Sequence, residues 1–357
     1  KPMSIHAPEY VRKIAPYQAG KPISELAREY GLQPERIVKL ASNENPLGIP
    51  QSARDAMAEA VADLGRYPDS NGFELKAAIS KRYAVPQDWI TLGNGSNDIL
   101  ELAAHALLQP GCSAVYSQYS FAVYALATQE TGARAIVVPA RELGHDLDAM
   151  RAAIASDTRL VFIANPNNPT GTFLPADRIA AFLAAVPRDV VVVLDEAYNE
   201  YLEPALRFDS SRWLSDHPNL IVSRTFSKAY GLAGLRVGFG LAQAELTDLM
   251  NRVRQPFNVS SVAQAAAIAA LDDDAFLKRS YELNRDGLAR LQSAFREMGL
   301  EYVPSYGNFV LVRVGDAAAV YEGLLRAGII VRPVANYGLP DWLRVTVGLP
   351  DENDAFL

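Results

Sequence analysis

Between Trp89 and Gly240, short apolar, β-branched runs alternate with longer stretches in which apolar residues recur every three or four positions. The short runs predict strands at Trp89–Gly93, Ser113–Tyr116, Ala135–Pro139, Arg159–Ala164, Asp189–Asp195, Leu220–Thr225 and Leu235–Gly240. Several, such as DVVVVLD, are apolar almost throughout and do not alternate with polar residues. That is the pattern of strands covered on both faces, as in a parallel sheet. The stretches NDILELAAHALL, FAVYALATQE and PADRIAAFLAAV have helical period and lie between strands. Strand and helix in alternation predict a doubly wound α/β layer, which binds ligands at the carboxyl ends of its strands.

The texture changes after RQPFNVSS, Arg254–Ser261. A long helical region from Val262 to about Met298 leads into NFVLVR, GIIVR and WLRVTV, read as strands of a smaller α+β unit. The expected organisation is an N-terminal arm and small-domain segment over 1–38, a large domain over 39–255 and a small domain over 256–357. The closing DENDAFL reads as the opening turn of a helix.

Composition narrows the function classes. The chain has 357 residues, 49% of them hydrophobic, enough for a large core. Its 34 Lys and Arg against 41 Asp and Glu give a net charge of −7, with no basic run of the kind that binds nucleic acid. A single cysteine, Cys112, excludes an intrachain disulfide. His6, His105, His145 and His217 are scattered without metal-ligand spacing, so no metal is expected. KPMSIHAPEY has no apolar signal-type core. The longest apolar runs, such as Ala265–Leu271, fall far short of the ~18 residues that cross a bilayer. A cytoplasmic protein without a membrane partner is the expectation.

Four predicted strand ends carry candidate chemistry. After TLG, the turn GNGSND opens a helix at about Ser96, and free N–H groups at a helix start attract anions. The pattern Gly93-x-Gly95-x-x-Asp98 lacks the third glycine of a dinucleotide fingerprint. A plain capped turn, with Ser96 or Asn97 as N-cap, reads equally well. After RLVFIA comes the tight loop NPNNPTG, which puts Asn168 at a strand end. Asp195 closes an apolar strand, and a carboxylate so placed needs a donor or cationic partner. Tyr198, three residues on, is expected to face the same cavity. Last, SRTFSKAYGLAGLRVGFG holds Lys228 beside Thr225 and Ser227, then Arg236 at the start of a further strand. A lysine against apolar walls becomes a nucleophilic amine, and a planar guanidinium suits a phosphate.

One small molecule asks for all of these at once. Pyridoxal 5′-phosphate (PLP) needs a lysine for its aldehyde, a carboxylate for its ring nitrogen, donors for its phenolate oxygen, and an arginine with N–H groups for its phosphate. On these residues the chain resembles the fold-type I PLP enzymes, and within them the histidinol-phosphate aminotransferase family. The carriers are LASNENPLG (40–48), RYPD (66–69), GNGSND (93–98), NPNNPTG (165–171), DEAYNEY (195–201), RTFSKAYGLAGLRVGFG (224–240), GNFVLVR (307–313) and WLRVTVG (342–348), nearly the whole length.

The resemblance implies an α/β fold of that type and PLP bound as an imine to Lys228. It implies Asp195 on the ring nitrogen, Asn168 and Tyr198 on the phenolate oxygen, and Ser96, Asn97, Ser227 and Arg236 on the phosphate. It also implies Phe121 stacked on the ring, Tyr67 reaching a neighbouring subunit's phosphate in a homodimer with shared sites, and Tyr17, Arg332 and Arg344 on the substrate. The implied activity is ping-pong transamination between histidinol phosphate and 2-oxoglutarate. An aromatic amino acid aminotransferase and a threonine-phosphate decarboxylase share the same constellation and remain rival readings. A non-catalytic PLP-binding regulator would carry a DNA-binding domain for which the chain has neither spare length nor a basic helix. A nucleotide-binding α/β protein would leave Lys228 and Arg236 unexplained.

Overall fold

A computed structural model describes residues 5–357; the first four residues of the expected arm lie outside it. In chain order the strands are β1 (Val38–Lys39), β2 (Ile90–Gly93), β3 (Ser113–Ser117), β4 (Arg134–Val138), β5 (Thr158–Ala164), β6 (Val191–Asp195), β7 (Leu220–Thr225), β8 (Gly238–Leu241), β9 (Tyr302–Val303), β10 (Phe309–Arg313), β11 (Ile329–Ile330), β12 (Arg332–Val334) and β13 (Leu339–Thr346). Seven form one sheet in the order β2-β8-β7-β6-β5-β3-β4. Its interior pairings, from β4 through β7, are parallel, whereas β8 runs antiparallel to both β7 and β2. The large sheet is therefore mostly parallel, as the unalternating apolar runs implied.

The reason those runs do not alternate is visible in the packing. On β5, Val161 and Ile163 join one core while Leu160 and Phe162 join another on the opposite face. Neighbouring β6 divides likewise, Val192 and Leu194 against Val191 and Val193. Side chains alternate between the faces of a strand, so a strand with helices on both sides must be apolar at every position. The first face is covered by helices that include 51–60, 73–83, 176–185 and 261–271, the second by 96–107, 122–130 and 244–252. Edge strand β4 lacks cover on one side and exposes Val137.

Two strand expectations shift. Leu235–Gly240 is not a continuous strand: Leu235 ends a short 3-10 turn, Arg236 takes the left-handed conformation at φ 54°, and β8 begins at Gly238. Arg236 thus precedes the strand rather than beginning it, because its guanidinium is turned back toward the loop of Ser227. The region after Val262 is two helices, Ser261–Leu271 and Asp274–Glu297, each N-capped by its own side chain, Ser260 Oγ on Ala263 N and an Asp273 oxygen on Phe276 N. The first of the two packs against helix 51–60 and lies in the large sheet's core. The second carries Leu291 and Phe295 into the core of an antiparallel sheet of order β12-β13-β10-β9. DENDAFL does complete a helix, Pro350–Phe356. Among the described residues no helix is long and apolar enough to cross a membrane.

Candidate active site

The carboxyl ends of β2, β5, β6 and β7 open on one cavity of about 260 Å³. It is lined by Ser96, Asn97, Phe121, Asn168, Asp195, Tyr198, Ser227, Lys228 and Arg236, with Tyr17, Arg332 and Arg344 closing it from the arm and the small sheet. Of the residues singled out from sequence only Tyr67 stands apart. It is 81% exposed and stacks on Phe257 with ring centroids 4.7 Å apart.

Lys228 follows β7 by three residues, half-buried, with its Nζ donating to the Ser42 carbonyl at 3.3 Å. Burial, then the positive charge of Arg344 and more weakly that of Arg236, depress its pKa from 10.5 to about 8. A neutral amine is thus accessible near physiological pH. Asp195, at the end of β6, is buried, and burial raises its carboxyl above the ordinary range against three opposing influences: the Tyr124 hydroxyl, the Ala197 amide and the charge of Lys228. Tyr124 donates to Asp195 Oδ2 at 2.6 Å and Ala197 N to Oδ1 at 3.3 Å. Both direct partners are neutral, so this carboxylate lacks a contacting cation.

Tyr198 Oη accepts a hydrogen bond from Asn43 Nδ2 at 2.9 Å, leaving its own proton to donate. Burial pushes its pKa up to about 12, so it stays protonated at neutral pH. Asn168 Oδ1 accepts from Arg344 Nη1 at 2.8 Å, which orients the amide nitrogen as a donor. Arg344 also donates from Nη2 to the Ala41 carbonyl at 2.6 Å, while its Nε is buried without a partner.

Helix Ser96–Leu107 has Gly95 at its N-cap position with no side-chain cap, so the alternative reading of Ser96 or Asn97 as an N-cap does not hold. A glycine fits there for a steric reason. At φ 76° a Cβ would stand 2.5 Å from Arg236 Nη2. A Cβ on Gly238 would likewise stand 2.6 Å from Ser96 N. The helix start, the Arg236 guanidinium and Ser227 Oγ, which accepts from Arg236 Nη1 at 3.3 Å, therefore converge. Uncapped N–H groups, a helix dipole and a guanidinium together make an anion cradle.

The small sheet brings in a second cationic centre. Arg332 and Arg344 are directly opposite one another in the β12–β13 register. Both are buried. Arg332 donates from Nη2 to the Gln18 carbonyl and lies over the Tyr17 ring at 5.8 Å.

A family model for the class I and II aminotransferases matches residues 35–356. The chain is 72% identical to histidinol-phosphate aminotransferase 1 of Cupriavidus pinatubonensis over 98% of its length and 94% of that relative. The chain belongs to the histidinol-phosphate aminotransferase family. It is 69% identical, with the same coverages, to histidinol-phosphate aminotransferase 2 of Ralstonia nicotianae. The crystal structure of the Sinorhizobium meliloti histidinol-phosphate aminotransferase in complex with pyridoxal 5′-phosphate superposes on this aminotransferase with a TM-score of 0.91. The two are 30% identical, and the match covers 99% of this chain and 96% of that one. The α/β, fold-type I expectation and the family resemblance both hold.

Two residues of this aminotransferase's cavity escaped the sequence reading. Tyr124 falls on an apolar helix, where a tyrosine reads as core; the cue to its role was its position three residues after Phe121. Asn43 lies within LASNENPLG and is 155 residues from Tyr198, so only folding joins them.

Proposed function

We propose that this chain transfers an amino group between histidinol phosphate and 2-oxoglutarate, alternating both substrates through one site. The observation that carries the substrate reading is the facing pair Arg332 and Arg344. Like charges at directly opposed strand positions are unfavourable, and here both are buried and Arg344 Nε has no partner. An anion between them relieves that cost. A phosphate and a carboxylate each accept several guanidinium bonds, so one pocket serves both half-reactions.

The cofactor is pyridoxal 5′-phosphate, and the residues present fit it. Asp195 has the buried, cation-deficient carboxylate that a ring nitrogen requires. Asn168 and Tyr198 offer donors to the phenolate oxygen. Arg236, Ser227 and the Ser96 and Asn97 amides would hold the phosphate, and Phe121 would cover the ring. When bound, PLP supplies an electron-withdrawing ring that passes the amino group from donor to acceptor. Lys228 Nζ, whose lowered pKa makes the neutral amine accessible, would be the base that takes the proton from the substrate Cα and delivers one to the cofactor carbon that receives the amino group. Asp195 would keep a proton on the ring nitrogen, the electrostatic contribution that makes so weak a carbon acid reactive. Tyr124 orients Asp195 while remaining neutral, since burial raises its pKa well above 10.

The decisive measurement is kcat/KM for histidinol phosphate against phenylalanine, each with 2-oxoglutarate. Histidinol phosphate is expected to be preferred. A preference for phenylalanine would make this an aromatic aminotransferase, and carbon dioxide release without a keto product would make it a decarboxylase. We further read the protein as a cytoplasmic homodimer. The exposed Tyr67–Phe257 stack, with Leu64 and Phe73 exposed nearby in sequence, supports a second copy as the cover. A single sedimenting species of monomer mass would refute it.

Two smaller effects follow. Protein stripped of cofactor should capture added PLP at a rate that rises with pH through about 8 and then levels off, because only neutral Lys228 attacks. Stopped-flow absorbance reads this, and a midpoint near 10.5 would show that the pocket leaves the amine unperturbed. Arg236→Ala should raise the Kd for PLP about ten- to a hundredfold, since charge-assisted bonds contribute about 1.5–3 kcal/mol each. Equilibrium dialysis measures it.

A further inference from the structure

The hairpin that carries both arginines closes at Ala335–Tyr337 and Gly338, between β12 and β13. Its tip rests on the loop ahead of helix Ala122–Glu130. That helix starts on Phe121 without a side-chain cap of its own. Its first amide, Ala122 N, donates instead to Tyr337 Oη at 3.3 Å, a contact between residues 215 positions apart. Beside it, Tyr119 and Tyr337 pack against the apolar cluster of Val334, Leu339 and Trp342. Tyr119 is itself held at φ 56°, and its carbonyl accepts from Asn167 Nδ2 at 2.8 Å. A chain of direct contacts thus runs from the Arg332–Arg344 strands through Tyr337 to the backbone adjoining Phe121.

We propose that Tyr337 is a positioning residue: by capping Ala122 N, its hydroxyl sets the tilt of Phe121 over the cofactor ring when the arginine hairpin seats an anion. This rests on the reading above that Phe121 covers the ring. Helix starts hold their geometry through such caps, and this one is supplied by the element that grips the substrate. Substrate binding and ring orientation are thereby linked through one phenol. Tyr337 and Phe121 also share the wall of an adjoining cleft of about 820 Å³. Water can enter there and replace a missing hydroxyl, so Tyr337→Phe should remain folded and lose orientation only.

The experiment compares holoenzyme carrying Tyr337→Phe, Phe121→Leu and both, reading visible circular dichroism of the bound cofactor and steady-state constants. Tyr337→Phe is expected to raise KM for donor and acceptor about three- to tenfold, the range of one modest hydrogen bond, with kcat within about twofold. The dichroic band should change with it. In the Phe121→Leu background the same substitution should add nothing, since it acts through that ring. Wild-type KM and dichroism in Tyr337→Phe, or equal effects with and without Phe121, would overturn the assignment. Dichroism is read without turnover, so failure to use histidinol phosphate would count against the substrate reading alone. A wild-type protein that bound no PLP would sink both.

Discussion

Lys228→Ala should remove transamination and, with it, the visible absorbance of bound cofactor. Nothing else in the cavity can replace the amine. The lysines nearest in sequence to the arm's contribution, Lys21 and Lys39, are paired with Glu29 at 2.8 Å and Glu44 at 3.5 Å, and neither lines the cavity. The variant loses both the nucleophile and the base that moves the Cα proton. General-base catalysis alone is worth about 10²–10⁴-fold, so a fall in kcat of at least about 10⁴-fold is expected. Absorbance spectra and single-turnover assays with a fixed donor measure the two losses separately. A variant that stayed yellow and turned over would end the assignment of Lys228.

Asp195→Asn should fall on kcat while leaving the fold intact. The amide has the same shape and can still accept from Tyr124, but it cannot hold a proton on the ring nitrogen by charge. Preorganised electrostatic groups of this kind are worth on the order of 10²–10³-fold in rate. Stability should move the other way. The folded-state pKa of Asp195 is raised above 3.8, chiefly by burial. The folded protein therefore holds this proton more tightly than the unfolded chain, and stability drains away as pH climbs above the ordinary carboxylate range. The cofactor-free protein takes on that penalty as pH rises through the raised pKa of this carboxyl. The asparagine variant is free of it, so the Tm of the stripped protein should be equal or higher. A lowered Tm together with unimpaired kcat would show that Asp195 is a structural carboxylate.

How much of this was legible in the chain follows from what each residue type can do locally. Asp195 and Lys228 were readable because one ends an apolar strand and the other follows one by three residues, where a charge has no reason to be unless something binds it. Gly95 and Gly238 were visible as glycines, but their reason, an arginine and an amide lying where a Cβ would be, exists only once β8 lies beside β2. Arg236 was found as a residue and misplaced as an element. Its φ of 54° is a left-handed value that local propensity does not favour in an arginine, and the contacts of its guanidinium hold it there. The supposed caps Ser96 and Asn97 failed for a related reason. Residue type favours serine and asparagine at helix starts, but although the helix opens at Ser96 as expected, its N-cap position falls on Gly95, with its first amides turned toward the anion cradle.

Sequence alone determined the α/β alternation, the two-sided burial of the central strands and the identity of the charged groups at their ends, because hydrophobic period and strand termini are local properties. Tertiary structure alone decided which of those groups meet: Tyr124 with Asp195, Asn43 with Tyr198, Arg332 opposite Arg344, and Tyr337 with the helix behind Phe121. Those pairs join residues from 12 to 215 positions apart. Their strength depends on exclusion of water, which no stretch of chain possesses until the sheets have closed around it.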